Sequence, residues 1–243
     1  MHPLDGPRAK LDRAAEHIQE FDAAVRRWNN SKTFRTVSEQ FNSDKTEYIY
    51  RFEFGSIPVR IGIIAGDALH NLRSSLDYLV WQLALLTTGH PGTETAFPIC
   101  LTDGEASQKR IKTLLKHVPN DAREIIKDLQ PYNTRDELKP ELHILWLLHR
   151  LSIIDKHQFV TVAGAQWTID CKKGMGYRWL NEATVEIAIP VVDENLPPAP
   201  PKVTYNLVLG HKLIPGIRPD VLPRIHHDIK EIVLPRFESF FPK

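Results

Sequence analysis

The hydrophobic positions along the chain follow a helical spacing at the start and then change to an alternating one. Apolar residues recur every three or four positions from about 7 to 28, which is typical of an amphipathic helix. The segments 33 to 41 and 47 to 54 alternate apolar and polar residues on either side of a turn at 42 to 45. This pattern predicts a β-hairpin directly after the first helix.

The strongest helical pattern of the chain lies at 58 to 88, where leucines recur at near-heptad spacing. Two shorter helical patterns follow at 104 to 117 and at 121 to 129. A second long helix is predicted at 140 to 157, because Pro140 suits the first turn of a helix. We expect the helices at 58 to 88 and 140 to 157 to be the central, antiparallel elements of a bundle.

Alternation returns in the C-terminal half of the chain. The segments 159 to 165, 184 to 192 and 203 to 209 are predicted to be strands. The run at 196 to 201, Leu-Pro-Pro-Ala-Pro-Pro, cannot pair along a ladder because proline has no backbone N–H. It therefore predicts a polyproline-like loop between the last two strands.

A final helix is predicted from about 220 to 241, and Pro235 is expected to bend it or to end it early. The sequence contains no internal repeat and no clear interdomain linker. We therefore predict a single α+β domain over residues 1 to 243. In this domain the helical bundle packs with an antiparallel β-sheet formed by the segments 33 to 54 and 158 to 209.

Composition and charge narrow the class of protein. With 42% hydrophobic and 25% charged residues, the chain is predicted to be globular rather than disordered or membrane-spanning. Its 31 basic and 30 acidic residues leave a net charge of +1, so contact with a nucleic acid would need a local basic patch. Cys100 and Cys171 lie outside any disulfide framework or zinc-ligand spacing. We expect a cytoplasmic protein without a signal peptide or a membrane segment.

One face of the helix at 58 to 88 carries residues that could form a functional site. Polar and aromatic residues separated by three or four positions share this face, opposite the leucine seam: Asp67, His70, Ser74, Asp77 and Trp81. Asn71 and Arg73 flank it. A site is one interpretation, and a solvated face with a surface ion pair between Arg73 and Asp77 is the other.

A second polar stripe lies on the helix at 140 to 157. His143, Arg150 and His157 follow one another at heptad spacing, with apolar residues between them. An apolar lining can shift the pKa of a histidine and aim an arginine at an anion. Lys156 and His157 also complement the helix dipole at the C-terminal end, so capping is an alternative explanation for these two residues.

Four runs in the central part of the chain resemble those of a family of uncharacterised bacterial proteins. The runs are Ala-Leu-His-Asn-Leu-Arg-Ser-Ser-Leu-Asp at 68 to 77, Phe-Pro-Ile at 97 to 99, Leu-Gln-Pro-Tyr at 129 to 132 and Asp-Lys-His at 155 to 157. This family brings no established activity, so the resemblance implies a shared fold only.

Arg150, followed by six residues and His157, resembles the motif of HEPN-type helical ribonucleases. In these enzymes an arginine and a histidine are paired across a dimer and cleave RNA without a metal. The resemblance implies that Arg150 stabilises phosphate charge and that His157 is the general acid or base, in a homodimer that acts on RNA without a cofactor. His70 and Asp77 complete the predicted catalytic set. The predicted substrate-binding residues are Asn71, Arg73, His143 and Lys156.

Two other classes of function remain open at this point. The histidine, arginine and aspartate residues could form a buried structural network in a non-enzymatic module, whose sheet edge or proline-rich loop binds a partner protein. A metal-dependent hydrolase is the second alternative, since carboxylate and imidazole groups ligate divalent ions in bundle cores. Its candidate ligands are Asp67, His70, Asp77 and His157.

Overall fold

A computed structural model of the chain describes residues 2–30, 34–134, 139–157, 165–169, 175–181, 184–193, 196–207, 209 and 217–241; the side chains at 34, 157, 165–169 and 203–206 lie outside this description. The described residues form six α-helices: α1 Asp5–Asn30, α2 Val59–Leu85, α3 Glu105–Leu114, α4 Asn120–Asp128, α5 Ile144–His157 and α6 Val221–Asp228. None of the helices described is long and apolar enough to cross a membrane.

Helices α1 and α2 pack antiparallel along their length. Lys10 of α1 donates a hydrogen bond to Asn71 of α2, and Arg60 at the start of α2 pairs with Glu20 near the end of α1. The predicted leucine seam is buried in this interface, since Leu72, Leu76, Leu79 and Leu83 are fully enclosed. Burial of a continuous apolar seam is the main stabilising contribution expected for such a pair.

Proline changes the geometry of two helices. Pro140–Leu142 is a 3₁₀ turn, and α5 begins only at Ile144, after an extended residue. The last predicted helix is α-helical over α6, continues as a π-helical turn at Ile229–Val233 and ends as a 3₁₀ helix at Leu234–Phe240. Because Pro235 cannot donate the i→i−4 hydrogen bond, a change of helix type at this position has a physical cause.

The strands form two antiparallel units in the described residues. A four-stranded sheet has the order β1–β2–β5–β4, formed by Phe34–Phe41, Glu47–Phe54, Thr184–Pro190 and Gly176–Asn181 respectively. Strands β3, Ala165–Ile169, and β6, Val203–Leu207, pair separately. The α+β class and the β1–β2 hairpin are confirmed, whereas the sequence prediction placed all strands in one sheet. Residues 159 to 164 of the predicted strand 159 to 165 lie outside the described residues.

The four-stranded sheet has one aromatic face and two irregular edges. Tyr48, Tyr50, Phe52 and Phe54 of β2 are buried on the same face as alternate residues of β5. The register of β1 shifts at Thr36 and Ser38, and the register of β4 shifts between Trp179 and Asn181. β1 and β4 are the outer strands, so both edges of this sheet contain an irregularity.

Candidate functional site

The carboxyl group of Asp155 on α5 lies against Gly66 of α2. A Cβ atom added to Gly66 would lie 2.3 Å from Oδ1 of Asp155. Any larger residue at position 66 would therefore displace this carboxylate. The absence of a side chain on α2 is what allows the Asp155 carboxyl group to lie against the α2 backbone.

The environment of Asp155 favours its protonated form. Burial raises the pKa of Asp155, and the neighbouring carboxylate of Asp67 raises it further, while His70 and Lys156 partly oppose both effects. A carboxyl group in a half-buried position next to another carboxylate is a better proton donor near neutral pH than an ordinary aspartate. Asp155 thus has the properties of a general acid.

An accessible imidazole lies beside this carboxyl group. His70 is exposed on α2 and lies close enough to Asp155 to influence its pKa. The Oγ atom of Ser74, one turn further along α2, is 3.5 Å from Nε2 of His70. Hydrogen-bond donor and acceptor depend on the histidine tautomer. The contact between α2 and α5, called here the α2–α5 seam, therefore places a half-buried carboxyl group near an exposed imidazole.

A second histidine of α5, His149, is surrounded by positive charge. Burial, the largest effect, and nearby cations together lower the pKa of His149 to about 4; the cations are Arg73, Arg110, Arg150 and Lys156. The imidazole is consequently neutral at physiological pH. The same four cations make this part of the α2–α5 seam attractive to an anion.

Two buried polar atoms at the seam have no hydrogen-bond partner in the described part of the chain. They are Nη1 of Arg73 and Oγ of Ser152, and Ser152 is only 6% exposed. Ser152 lies on α5 between His149 and Asp155. An unsatisfied buried polar group costs about 1–3 kcal/mol, so both atoms would gain from an acceptor that enters the seam.

The C-terminal half of the predicted α2 stripe binds the chain itself. Arg73 donates hydrogen bonds to Asp77, at 2.8 Å from Nη2, and to the carbonyl oxygen of Phe97. The Oδ1 atom of Asp77 accepts the backbone N–H of Phe97 at 2.9 Å. Arg73 and Asp77 therefore hold the Phe-Pro-Ile segment against α2.

The Leu-Gln-Pro-Tyr run holds the same segment from the other side. The side chain of Gln130 is almost fully buried and accepts the backbone N–H of Cys100 at 2.9 Å. Its amide group donates to the carbonyl oxygens of Pro98 and Ile126. Three of the four resemblance runs thus meet in one hydrogen-bonded arrangement around residues 97 to 100.

Two predicted substrate-binding residues, His143 and Asn71, make hydrogen bonds within the fold. His143 accepts the backbone N–H of Leu145 at 3.2 Å, which caps the first turn of α5, and burial lowers its pKa. Asn71 accepts a hydrogen bond from Lys10 of α1 and donates one to the carbonyl oxygen of Asp67, one turn earlier in α2. Both residues therefore have local structural partners.

The HEPN-like pair is only partly described. Arg150 is exposed, and Lys156 is exposed one turn and a half further along α5. The backbone of His157 is the last residue of α5, but its side chain lies outside the described residues. Of the predicted site residues, the structure brings His70 and Lys156 to Asp155, and it brings Arg73 and Arg150 to His149.

Sequence reasoning missed the polar residues on the buried face of α5. Leu145, Leu148, Ser152 and Asp155 are spaced by three, four and three positions, so the polar pair continues an apolar seam. This continuation of the apolar seam could have identified Ser152 and Asp155 from the sequence, because polar groups that face another helix must be hydrogen-bonded or functional. The heptad stripe of His143 and Arg150 lies on a more exposed side.

Ligand geometry and comparisons with other proteins add two findings. Within the described residues, no group of three or more histidine, cysteine, aspartate or glutamate side chains is arranged to hold a metal ion. Comparisons with protein-family models, curated proteins and solved structures find no match to this chain. The function is therefore argued from the α2–α5 seam itself.

Proposed function

We propose that the α2–α5 seam cleaves RNA by acid–base chemistry that needs no metal, in a cytoplasmic homodimer, as the resemblance to HEPN-type ribonucleases implies. The observation that carries this proposal is the carboxyl group of Asp155, whose pKa is raised by burial, next to the accessible imidazole of His70. Pairs of titratable groups with different environments are typical of acid–base sites.

In the proposed reaction, His70 and Asp155 each transfer one proton. The imidazole of His70 accepts the proton of a ribose 2′-hydroxyl, and the 2′-oxygen attacks the adjacent phosphorus. The bond between phosphorus and the 5′-oxygen breaks, and protonated Asp155 donates its proton to that oxygen. The products are a 2′,3′-cyclic phosphate and a free 5′-hydroxyl.

Positive side chains supply the remaining requirement of the reaction. Negative charge grows on the phosphate oxygens in the transition state and is stabilised by nearby cations. Arg150 and Lys156 are exposed on α5, and both lie close enough to His149 to lower its pKa. Arg150 keeps the phosphate-stabilising role that the resemblance implies, and His157 remains a second candidate acid or base.

The test is incubation of the purified full chain with total RNA in excess chelator. We expect the wild type to cleave, and His70→Ala and Asp155→Asn each to lose at least about 100-fold in rate, as for removal of a general acid or base. His90→Ala is the matched control, since His90 is exposed in the loop after α2. Arg150→Ala and His157→Ala test the HEPN-like pair separately.

Two results would overturn the assignment of activity to this site, and a third would overturn the mechanism. One is inactivity of the wild type towards RNA, and the other is full activity of both His70→Ala and Asp155→Asn. Products with a 3′-hydroxyl end would also contradict the mechanism, because attack by the 2′-oxygen leaves a cyclic phosphate.

A non-enzymatic structural role is the second candidate, and the Arg73–Asp77 contacts favour it. These side chains of the predicted site bond to the backbone of Phe97 and so stabilise the fold. If the wild type does not cleave RNA while Asp77→Ala still lowers the free energy of unfolding, the polar network is structural. This outcome separates the two candidates.

A further inference from the structure

A hydrogen bond attaches the proline-rich segment at 196 to 201 to the four-stranded sheet. The hydroxyl group of Tyr50 on β2 donates to the carbonyl oxygen of Pro198 at 2.5 Å. Proline fixes its own φ angle near that of a polyproline II helix, and it also restricts the residue before it to extended conformations. Four prolines in six residues therefore hold this segment in polyproline II form, attached at its middle.

The exposure of the segment repeats every three residues. Pro198 and Pro201 are half-buried, whereas the residues before and between them are exposed: Leu196, Pro197, Ala199 and Pro200. A polyproline II helix has three residues per turn and thus three ridges of side chains. One ridge, Pro198 and Pro201, faces the protein, and the other two face solvent.

The two outer ridges carry a recognisable recognition pattern. Leu196–Pro197 and Ala199–Pro200 are two exposed pairs of an apolar residue and a proline, three positions apart, and exposed Lys202 follows two positions later. Grooves that bind polyproline II ligands accept two such pairs and leave the third ridge unused. The ridge that a groove would leave unused is the one that Tyr50 and the sheet already occupy.

We propose that residues 196 to 202 form a preformed docking site for a partner protein that has an SH3-type groove lined by aromatic side chains. Carboxylate groups beside that groove would pair with Lys202, which sets the direction of binding. The attachment at Tyr50 removes conformational freedom before binding and thereby lowers the entropic cost of association. This inference goes beyond the proposed cleavage of RNA and does not depend on it.

The test uses the full chain and a recombinant SH3 domain that selects proline-rich ligands followed by a basic residue. The dissociation constant is measured by isothermal titration calorimetry. We expect the double variant Pro197→Ala/Pro200→Ala, and separately Lys202→Glu, to raise the dissociation constant by at least about tenfold. The matched control is Pro198→Ala/Pro201→Ala, for which we expect a change of less than about threefold, because the inner ridge does not enter the groove.

Three outcomes would overturn the proposal. The first is no binding of the full chain while a synthetic peptide of residues 196 to 203 binds, because the segment would then be blocked in the folded protein. The second is no binding of either the chain or the peptide. The third is an equal loss in the outer and inner double variants. Circular dichroism of each variant checks that the loss is not caused by unfolding.

Discussion

Substitution of Gly66 by alanine is the most direct test of the α2–α5 seam. In the interior of a helix, alanine is normally more stable than glycine by roughly 1 kcal/mol. At this position, however, the new Cβ atom would lie 2.3 Å from Asp155 Oδ1, whereas ordinary contacts begin at 3.4 Å. The carboxyl group or the helix must therefore move by about 1 Å, and overpacking of this kind typically costs about 1–3 kcal/mol.

The cost of overpacking offsets or exceeds the stability that a glycine-to-alanine change normally adds to a helix. We expect Gly66→Ala to lower the free energy of unfolding by about 0–2 kcal/mol, since the overpacking cost equals or exceeds the gain in helix propensity. In an Asp155→Ala background the clashing carboxyl group is absent. There, the same Gly66→Ala change should raise the free energy of unfolding by roughly 1 kcal/mol.

Urea denaturation of the wild type, both single variants and the double variant completes a double-mutant cycle. The coupling free energy isolates the contact between positions 66 and 155. If Gly66→Ala stabilises the protein equally in both backgrounds, the two helices do not approach as described and the seam is not a site. Loss of RNA cleavage in Gly66→Ala at full folding would further connect the carboxyl position to the activity.

Three further predictions concern the buried polar groups. Asp77→Ala should lower the free energy of unfolding by about 1–3 kcal/mol in urea titrations, because Arg73 loses its counter-charge and the N–H of Phe97 loses its acceptor. An unchanged value would contradict this part-buried ion pair. The free energy of unfolding should fall as pH drops from 6.5 towards 4, because the pKa of His149 is about 4 in the folded protein and the unfolded chain takes up the proton first. His149→Phe should make the free energy of unfolding less dependent on pH in this range. An unchanged pH dependence would assign the effect to other groups. The pKa of Asp155 is raised in the folded state, so wild-type stability falls as pH rises from the pKa of the unfolded state, about 3.9, through the pKa of the folded state. Asp155→Asn should therefore gain stability relative to the wild type over that pH range. Equal pH profiles of the two proteins would refute the pKa shift.

The helices were predictable because their apolar faces repeat over several turns. The predicted helices at 7 to 28 and 58 to 88 correspond to Asp5–Asn30 and Val59–Leu85. Strand β4 was not predicted: Tyr177 and Trp179 alternate with Gly176 and Arg178, but all residues of this short strand are exposed, so its alternation marks no buried face. Backbone pairing with β5, rather than a buried face, defines this strand.

The candidate site was predictable only on one helix. The exposed positions of α2, Asp67 and His70, were found from their spacing, whereas Asp155 of α5 was not among the predicted site residues. Asp155 lies on the buried seam of α5, and its closeness to α2 depends on Gly66, a residue without a side chain whose role shows only in three dimensions. The backbone partners of Arg73 and Asp77 could not be inferred either, since Phe97 is distant in sequence.

The irregular registers of β1 and β4 have a consequence for the behaviour of the protein at high concentration. A regular outer strand exposes a row of free N–H and C=O groups, onto which a strand from a neighbouring molecule can add. A bulge twists that row and interrupts its spacing. The irregularities at Thr36–Ser38 and Trp179–Asn181 therefore disfavour the addition of strands from neighbouring molecules to the edges of this sheet.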